Sequence, residues 1–472
     1  MHYLLSHTLF FIWSLLLYHC ATVYAQENSQ HGTMILTVDT GNVVRKGADS
    51  FIGINLNYIR DEDANRPKAR PLVDALKQLN GRWLRYPGGE KSDFYSWAQP
   101  PYDKPSAQSI GEYADYPGAR MDFDAYMKVV QSTAAEPYVV VGYDSLKRTG
   151  VTKEDWIKSA AGLVRYANIV RKYNVRYWEV GNENWHNGTA TPTEMAGIVR
   201  EFSEAMKAVD PSIMVGSSGS DKKWWSAFLP AAAPHLDFVS LSLYNCYNWK
   251  SYTYFPQNLR SDTIAQVHEA LESIERFAPP ADRARLKVVV AETNSKDYTD
   301  NWKDKNNLGH ALVVFDTFGR LMKEGKVQAA MLWTTRWIND AEATQCQWYA
   351  LDKDNGVLPV GMGIELWGRF ILPEMIQVRG EKESIVAYAC RSSDEKRVTL
   401  WLLNASTSAT STVEVRLNSS TTFTGIKAFR FGGNSPDDEA PALQAVSAPL
   451  LKDQTIPSVV CGPISITILQ IE

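Results

Sequence analysis

Two apolar runs in this chain end on glutamate. In Tyr177-Trp178-Glu179-Val180-Gly181-Asn182-Glu183-Asn184-Trp185, Glu179 lies inside the run and Glu183 at its end, beside Asn182. In Lys287-Val288-Val289-Val290-Ala291-Glu292-Thr293-Asn294, Glu292 directly follows the apolar stretch. Two facing carboxyl groups are what cleavage of a glycosidic bond requires. One is protonated and donates to the leaving oxygen; the other is ionised and attacks the anomeric carbon or activates water. A lone glutamate at a strand end is as readily half of a surface salt bridge. Two at corresponding ends are harder to reach by accident. Glu183 and Glu292 are therefore the candidate catalytic pair, and Glu179 is assigned to the framework.

Those carboxyl groups meet only if one sheet carries both. From Phe51 to Phe370 short apolar runs alternate with helix-period segments. The clearest helix follows the first glutamate run. Thr191-Pro192-Thr193-Glu194 is a capping box with proline at the first helical position. Met195, Ile198, Val199, Phe202, Met206 and Val209 then recur at three- and four-residue spacing, and Asp210-Pro211 predicts the end. Eight strands are predicted, near Phe51–Asn55, Arg82–Arg85, Tyr138–Val141, Arg176–Val180, Ile213–Val215, Phe238–Leu243, Val288–Ala291 and Ala329–Trp333. Alternation with helices makes this an α/β chain, a (β/α)8 TIM barrel over residues 51–372. In such a barrel the active site is built at the C-terminal strand ends, where Glu183 and Glu292 fall, on the fourth and seventh strands. A doubly wound open sheet is the alternative. It usually carries a glycine-rich phosphate turn, and neither a P-loop nor GxGxxG after the first strand is present.

The rest of the chain changes character. Residues 373–472 read as short alternating strands separated by turns rich in Ser, Thr, Asn and Asp, which predicts a β-sandwich domain. The early strand Met34-Ile35-Leu36-Thr37-Val38, in the segment 26–50, is expected to pair with it. Before Glu27 there is no Asp, Glu, Lys or Arg, Leu9 to Leu17 is apolar, and Val23-Tyr24-Ala25 ends in a small residue. That predicts a signal peptide over residues 1–25 and a secreted or periplasmic protein, although the first residues lack the usual basic charge. A retained anchor is the alternative.

Composition excludes several classes. Hydrophobic residues make up 44% and charged residues 22%, with a net charge of −4. This is globular, and it gives no electrostatic case for nucleic acid or an anionic membrane surface. The histidines lie far apart, with no HExxH or HxH, and there is no GxSxG elbow. The 15 Trp and 22 Tyr suit both sugar stacking and core filling. Past the signal segment, Cys246, Cys346, Cys390 and Cys461 remain. For an exported chain an even number permits disulfides, and the spacing favours Cys246–Cys346 and Cys390–Cys461.

The motifs resemble a known group. Gly181-Asn182-Glu183 ending strand four, with a glutamate ending strand seven, is similar to the clan A retaining glycoside hydrolases. Leu84-Arg85-Tyr86-Pro87-Gly88-Gly89 followed by Tyr95-Ser96-Trp97 is similar to the α-L-arabinofuranosidases of glycoside hydrolase family 51. The resemblance implies Glu183 as acid/base and Glu292 as nucleophile, with carboxyl groups about 5–5.5 Å apart. It implies that Asn182 bonds the sugar hydroxyl next to the anomeric carbon, that Arg85 sits near Glu292 and holds it ionised, and that Tyr244 hydrogen-bonds the nucleophile. Trp333 would be a sugar platform or barrel structure, and Trp185 a wall beside Glu183. No cofactor or metal is called for. The expected partner is an oligo- or polysaccharide, of plant or algal origin, with no nucleic acid, no stable membrane insertion and a homo-oligomer left open.

Three positions depart from that pattern. Ser242 stands where the family has histidine, Asn57 is the nearest match to a sugar-binding glutamate of strand one, and Thr293 replaces the tryptophan that follows the nucleophile. All three touch the sugar pocket, so an agarase, a xylosidase or an endo-glycanase stays open. The competing class is a non-catalytic carbohydrate-binding protein on the same barrel.

Overall fold

The computed structural model describes residues 34–143, 148–244, 251–253, 263–296, 305–336, 349–382 and 384–472. The predicted signal peptide, Cys246 and Cys346 lie outside them. All eight predicted barrel strands form: Ile52–Asn55, Trp83–Tyr86, Glu136–Val141, Tyr177–Val180, Met214–Ser218, Phe238–Tyr244, Lys287–Asn294 and Val327–Leu332. They close into a parallel barrel in which the eighth strand pairs with the first, Ala330 opposite Ile52 and Leu332 opposite Ile54. A helix follows each strand, beginning with Leu72–Leu79 and ending with Pro359–Phe370. The helix Pro192–Val209 starts on the predicted capping box and buries Met195, Val199, Phe202 and Met206.

Strand periodicity decides what faces the barrel axis. Trp83, Tyr138, Val140, Tyr177, Phe238, Val289, Ala329 and Met331 form the interior cluster. Leu84, Tyr86, Val139, Trp178, Val239, Val288 and Val290 pack outward against the helices. Alternation from Trp83, Tyr177 and Phe238 therefore turns Arg85, Glu179 and Ser240 inward. The same count from Val289 would turn Glu292 outward. The seventh strand avoids this with a bulge: Val290 pairs with Leu241 and Glu292 with Ser242, so Ala291 is the extra residue. A bulge of one residue reverses the faces beyond it and aims Glu292 into the barrel.

The second domain is one curled sheet of nine strands. Met34–Lys46 lies within it, antiparallel to Glu374–Arg379 and parallel to Ser411–Asn418. One face of the sheet packs on the barrel. Trp367 stacks on Phe315 at 4.5 Å between ring centroids and meets Trp401 at 4.7 Å. The Tyr388 hydroxyl reaches Asp316 Oδ1 at 2.6 Å. Each of these fully buried side chains contributes roughly 1.5–3 kcal/mol, which makes the join part of the core.

The expected Cys390–Cys461 disulfide is not formed, and both thiols are free and buried. Cys390 belongs to the cluster shared with the barrel and Cys461 to the cluster on the opposite face of the sheet. Even parity says nothing about which face a cysteine occupies. Burial pushes the Cys390 thiol up to about 12 and the Cys461 thiol up to about 11.

Candidate active site

Arg85 organises the barrel mouth. It lies on the second strand, 1% exposed. Nε and Nη2 donate to Glu179 Oε2 at 3.0 and 2.9 Å, and Nη2 also donates to Asn182 Oδ1 at 2.7 Å. Nη1 donates to Glu292 Oε1 at 2.7 Å and to Asn55 Oδ1 at 2.9 Å. Every N–H of the guanidinium is used, in the planar fork that only arginine presents. Burial alone would lower the Arg85 pKa, but Glu179 and then Glu292 outweigh it and hold it raised. One cation thereby joins the first, second, fourth and seventh strands.

The two glutamates of the run Tyr177–Trp185 have different surroundings. Glu179 is 1% exposed, and its second oxygen accepts from Ser240 Oγ on the sixth strand. Its carboxylate is tied down within the barrel interior. Glu183 is only partly buried and lies beyond the strand, which ends at Val180. It occupies the left-handed region, φ 43 and ψ 45, heading the short helix Asn184–Asn187. For a residue other than glycine this costs about 1–3 kcal/mol and needs support from its surroundings. Asn184 supplies it, with Nδ2 donating to Val180 O at 2.9 Å and its backbone N–H to Ser218 Oγ at 3.2 Å. Gly181, at φ 67, is required by the same turn, because a Cβ there would lie 2.3 Å from Asn184 Oδ1.

Glu292 is 4% exposed and held at both oxygens, by Arg85 and by Tyr244, whose hydroxyl donates to Oε2 at 2.8 Å. Tyr244 ends the sixth strand two residues past Ser242, on the same face. Asn182 is buried, and because its Oδ1 faces Arg85, its amide nitrogen is the end left to donate. Arg85, Asn182, Tyr244 and Glu292 thus share one network, with Glu183 next to Asn182 in the chain.

Trp333 directly follows the eighth strand and is partly exposed. Asn294 Nδ2 donates to its carbonyl, and Lys91 Nζ lies 4.8 Å from its ring centroid. Gly89, at φ 52, packs under the indole, where a Cβ would come within 2.1 Å of Cη2. Gly89→Ala is therefore expected to displace Trp333 and lower kcat/KM by about 10–100-fold, since misplacement by an ångström has that effect. Steady-state kinetics beside a thermal melt check this; an unaltered KM and kcat would remove Trp333 from the sugar site. Trp185 lies in the helix after Glu183, partly buried, with its ring 5.3 Å from that of His186.

Asn57 is not placed to meet a sugar. It is fully buried, its Oδ1 accepts from the Ile59 N–H at 3.1 Å, and its Nδ2 donates to Arg336 O at 3.1 Å. The first strand ends at Asn55, and Asn57 caps the turn that follows. Three participants were not singled out from the sequence: Asn55, Ser240 and Lys91. Asn55 and Ser240 are the polar residues of the apolar runs Ile52-Gly53-Ile54-Asn55 and Phe238-Val239-Ser240-Leu241, and that interruption was the available signal. Lys91 had none beyond its place after the glycine pair.

Residues 75–260 match the family described as Alpha-L-arabinofuranosidase 1 domain. That segment contains Arg85, Asn182, Glu183 and Tyr244 and stops before Glu292 and Trp333. The chain is 29% identical over 280 residues to a probable alpha-L-arabinofuranosidase C of Aspergillus fumigatus, an alignment covering 51% of this chain and 52% of that one. The chain spans about half the length of the curated relatives it matches. Among solved structures, an arabinofuranosidase superposes with a TM-score of 0.76 at 18% identity, covering 93% of this chain and 100% of that one. The alpha-L-arabinofuranosidase of Thermotoga maritima, in complex with arabinose, gives 0.73 at 18% identity, with 93% and 99% covered. At such identities the likeness is one of fold, a (β/α)8 barrel with a β-sandwich. The motif resemblance to clan A glycoside hydrolases near family 51 is borne out.

Proposed function

We propose that this chain is a retaining α-L-arabinofuranosidase acting by double displacement through Glu183 and Glu292. The observation that carries the reading is the held carboxylate: Glu292, turned inward by a bulge, is bonded by Arg85 and Tyr244 at the mouth where Asn182-Glu183 also ends. Glu292 attacks the anomeric carbon while Glu183 gives its proton to the departing oxygen. A glycosyl ester forms on Glu292. Glu183, now ionised, takes a proton from water, and the hydroxide attacks the same carbon and frees Glu292. The Asn182 amide donates to the neighbouring sugar hydroxyl, and Trp333 lies along the ring.

The test is hydrolysis of α-L-arabinofuranosides of graded leaving-group pKa by the parent and by Glu183→Ala. The parent is expected to cleave all of them. The variant is expected to lose about 10²–10⁴-fold with alkyl or sugar leaving groups, the usual worth of general acid help, and less with nitrophenyl. A loss independent of the leaving group would remove Glu183 as the acid. Absence of parent turnover on every arabinofuranoside would overturn the sugar assignment.

A further inference from the structure

Lys91 is fully buried, 0% exposed, in the loop after the second strand. Its ammonium lies 4.8 Å from the Trp333 ring centroid. Among the described residues, charges that act on it come from four segments. Glu292 on the seventh strand, Glu90 in its own loop and Asp61 after the first strand favour the ammonium, and Arg85 on the second strand opposes it. We propose that Lys91 is a positioning residue of the glycosidase site: its ammonium braces the inner side of the Trp333 indole and adds to the field of Arg85 at Glu292. The inference rests on the reading of that site as a glycosidase.

The arrangement has a cost that gives it a signature. A methionine would fill similar volume with no charge to desolvate. Burial pushes the Lys91 ammonium down to about 7, against the upward pull of Glu292, Glu90 and Asp61. In the unfolded chain a lysine holds its proton to about 10.4. Between those values the unfolded state binds more protons, so stability rises with pH across the window and is reduced below it. Lys91 thus destabilises the fold most at the pH where its charge acts on Trp333 and Glu292. Above neutrality the indole loses that cation and Glu292 keeps the charge of Arg85.

The test is Lys91→Met. Its kcat/KM is expected about tenfold below the parent's under mildly acid conditions, the combined worth of a buried cation–π contact and a nearby charge. The ratio is expected to approach one by about pH 8.5, once the parent lysine is neutral. The variant's thermal midpoint is expected above the parent's at about pH 6, with the gap closing toward pH 10. A rate ratio constant across this range would mean packing alone and would overturn the proposal. If the parent cleaves no arabinofuranoside, the functional reading fails separately, and Lys91 is judged by fluorescence. The difference in emission between the parent and Trp333→Phe is expected to titrate near pH 7. A flat difference overturns the proposal, and the same measurement decides if Lys91→Met does not fold.

Discussion

Glu292→Ala is expected to fold and to lose turnover by at least about 10⁴-fold, the scale seen when the nucleophile of a hydrolase is removed. Folding survives because Arg85 keeps Glu179, Asn55 and Asn182 as acceptors; the lost charged hydrogen bond costs about 1–3 kcal/mol. The informative measurement is rescue. Azide can occupy the space left by the carboxylate and attack the anomeric carbon from the face Glu292 used. One displacement then occurs, and the glycosyl azide has inverted configuration. In Glu183→Ala the covalent ester still forms with a good leaving group, and azide replaces water in the second step. Two displacements then give a retained azide. Proton NMR of the two products assigns both residues at once. Inverted product from Glu183→Ala together with retained product from Glu292→Ala would exchange their roles. Restored hydrolysis with no azide adduct from either variant would exclude double displacement.

Elements marked by runs and ends are legible in the sequence. Eight apolar segments and the stripes between them placed every barrel strand, because parallel strands covered by helices are apolar on both faces. The same property hid the interior of the site. When both faces are buried, periodicity does not show which residues line the axis, so Asn55 and Ser240 read as interruptions. Glu292 was found by its position at the end of a run, yet its direction depends on the bulge at Ala291, and a run of valines gives no sign of one extra residue. Asn57 was picked out by family likeness alone: it lies two residues past the end of the first strand, at Asn55 in both the sequence and the structure, and likeness does not show that its side chain caps the turn there. Lys91 is silent in the sequence because its meaning lies in what folds over it, the Trp333 indole, 242 residues further along the chain.

Arg85→Met is expected to be the most destabilising single change in the site. It leaves Glu179, at 1% exposure, and Glu292, at 4%, without the cation that both face. Removing one partner of such a buried set costs about 3–5 kcal/mol, because the charge left behind is uncompensated. The pH dependence follows from the same cause. A buried carboxyl without its cation favours the proton, so the folded variant binds protons that the unfolded chain has released, and its stability falls as pH rises. Urea midpoints are therefore expected to lie further below the parent's at pH 8 than at pH 5. Adding Glu179→Gln removes the more deeply buried of the two stranded charges while keeping its shape, and the double variant is expected to recover at least about half of the lost stability, the two changes being strongly non-additive. Activity is expected to stay lost, since Asn182 and Glu292 no longer have the donor that orients them. Recovery of both stability and turnover would mean that Glu179 and Arg85 are merely a structural pair. Recovery of stability alone would separate the fold from the chemistry: Glu179 is needed because Arg85 is there, and Arg85 is there to aim Asn182 and Glu292 at one sugar.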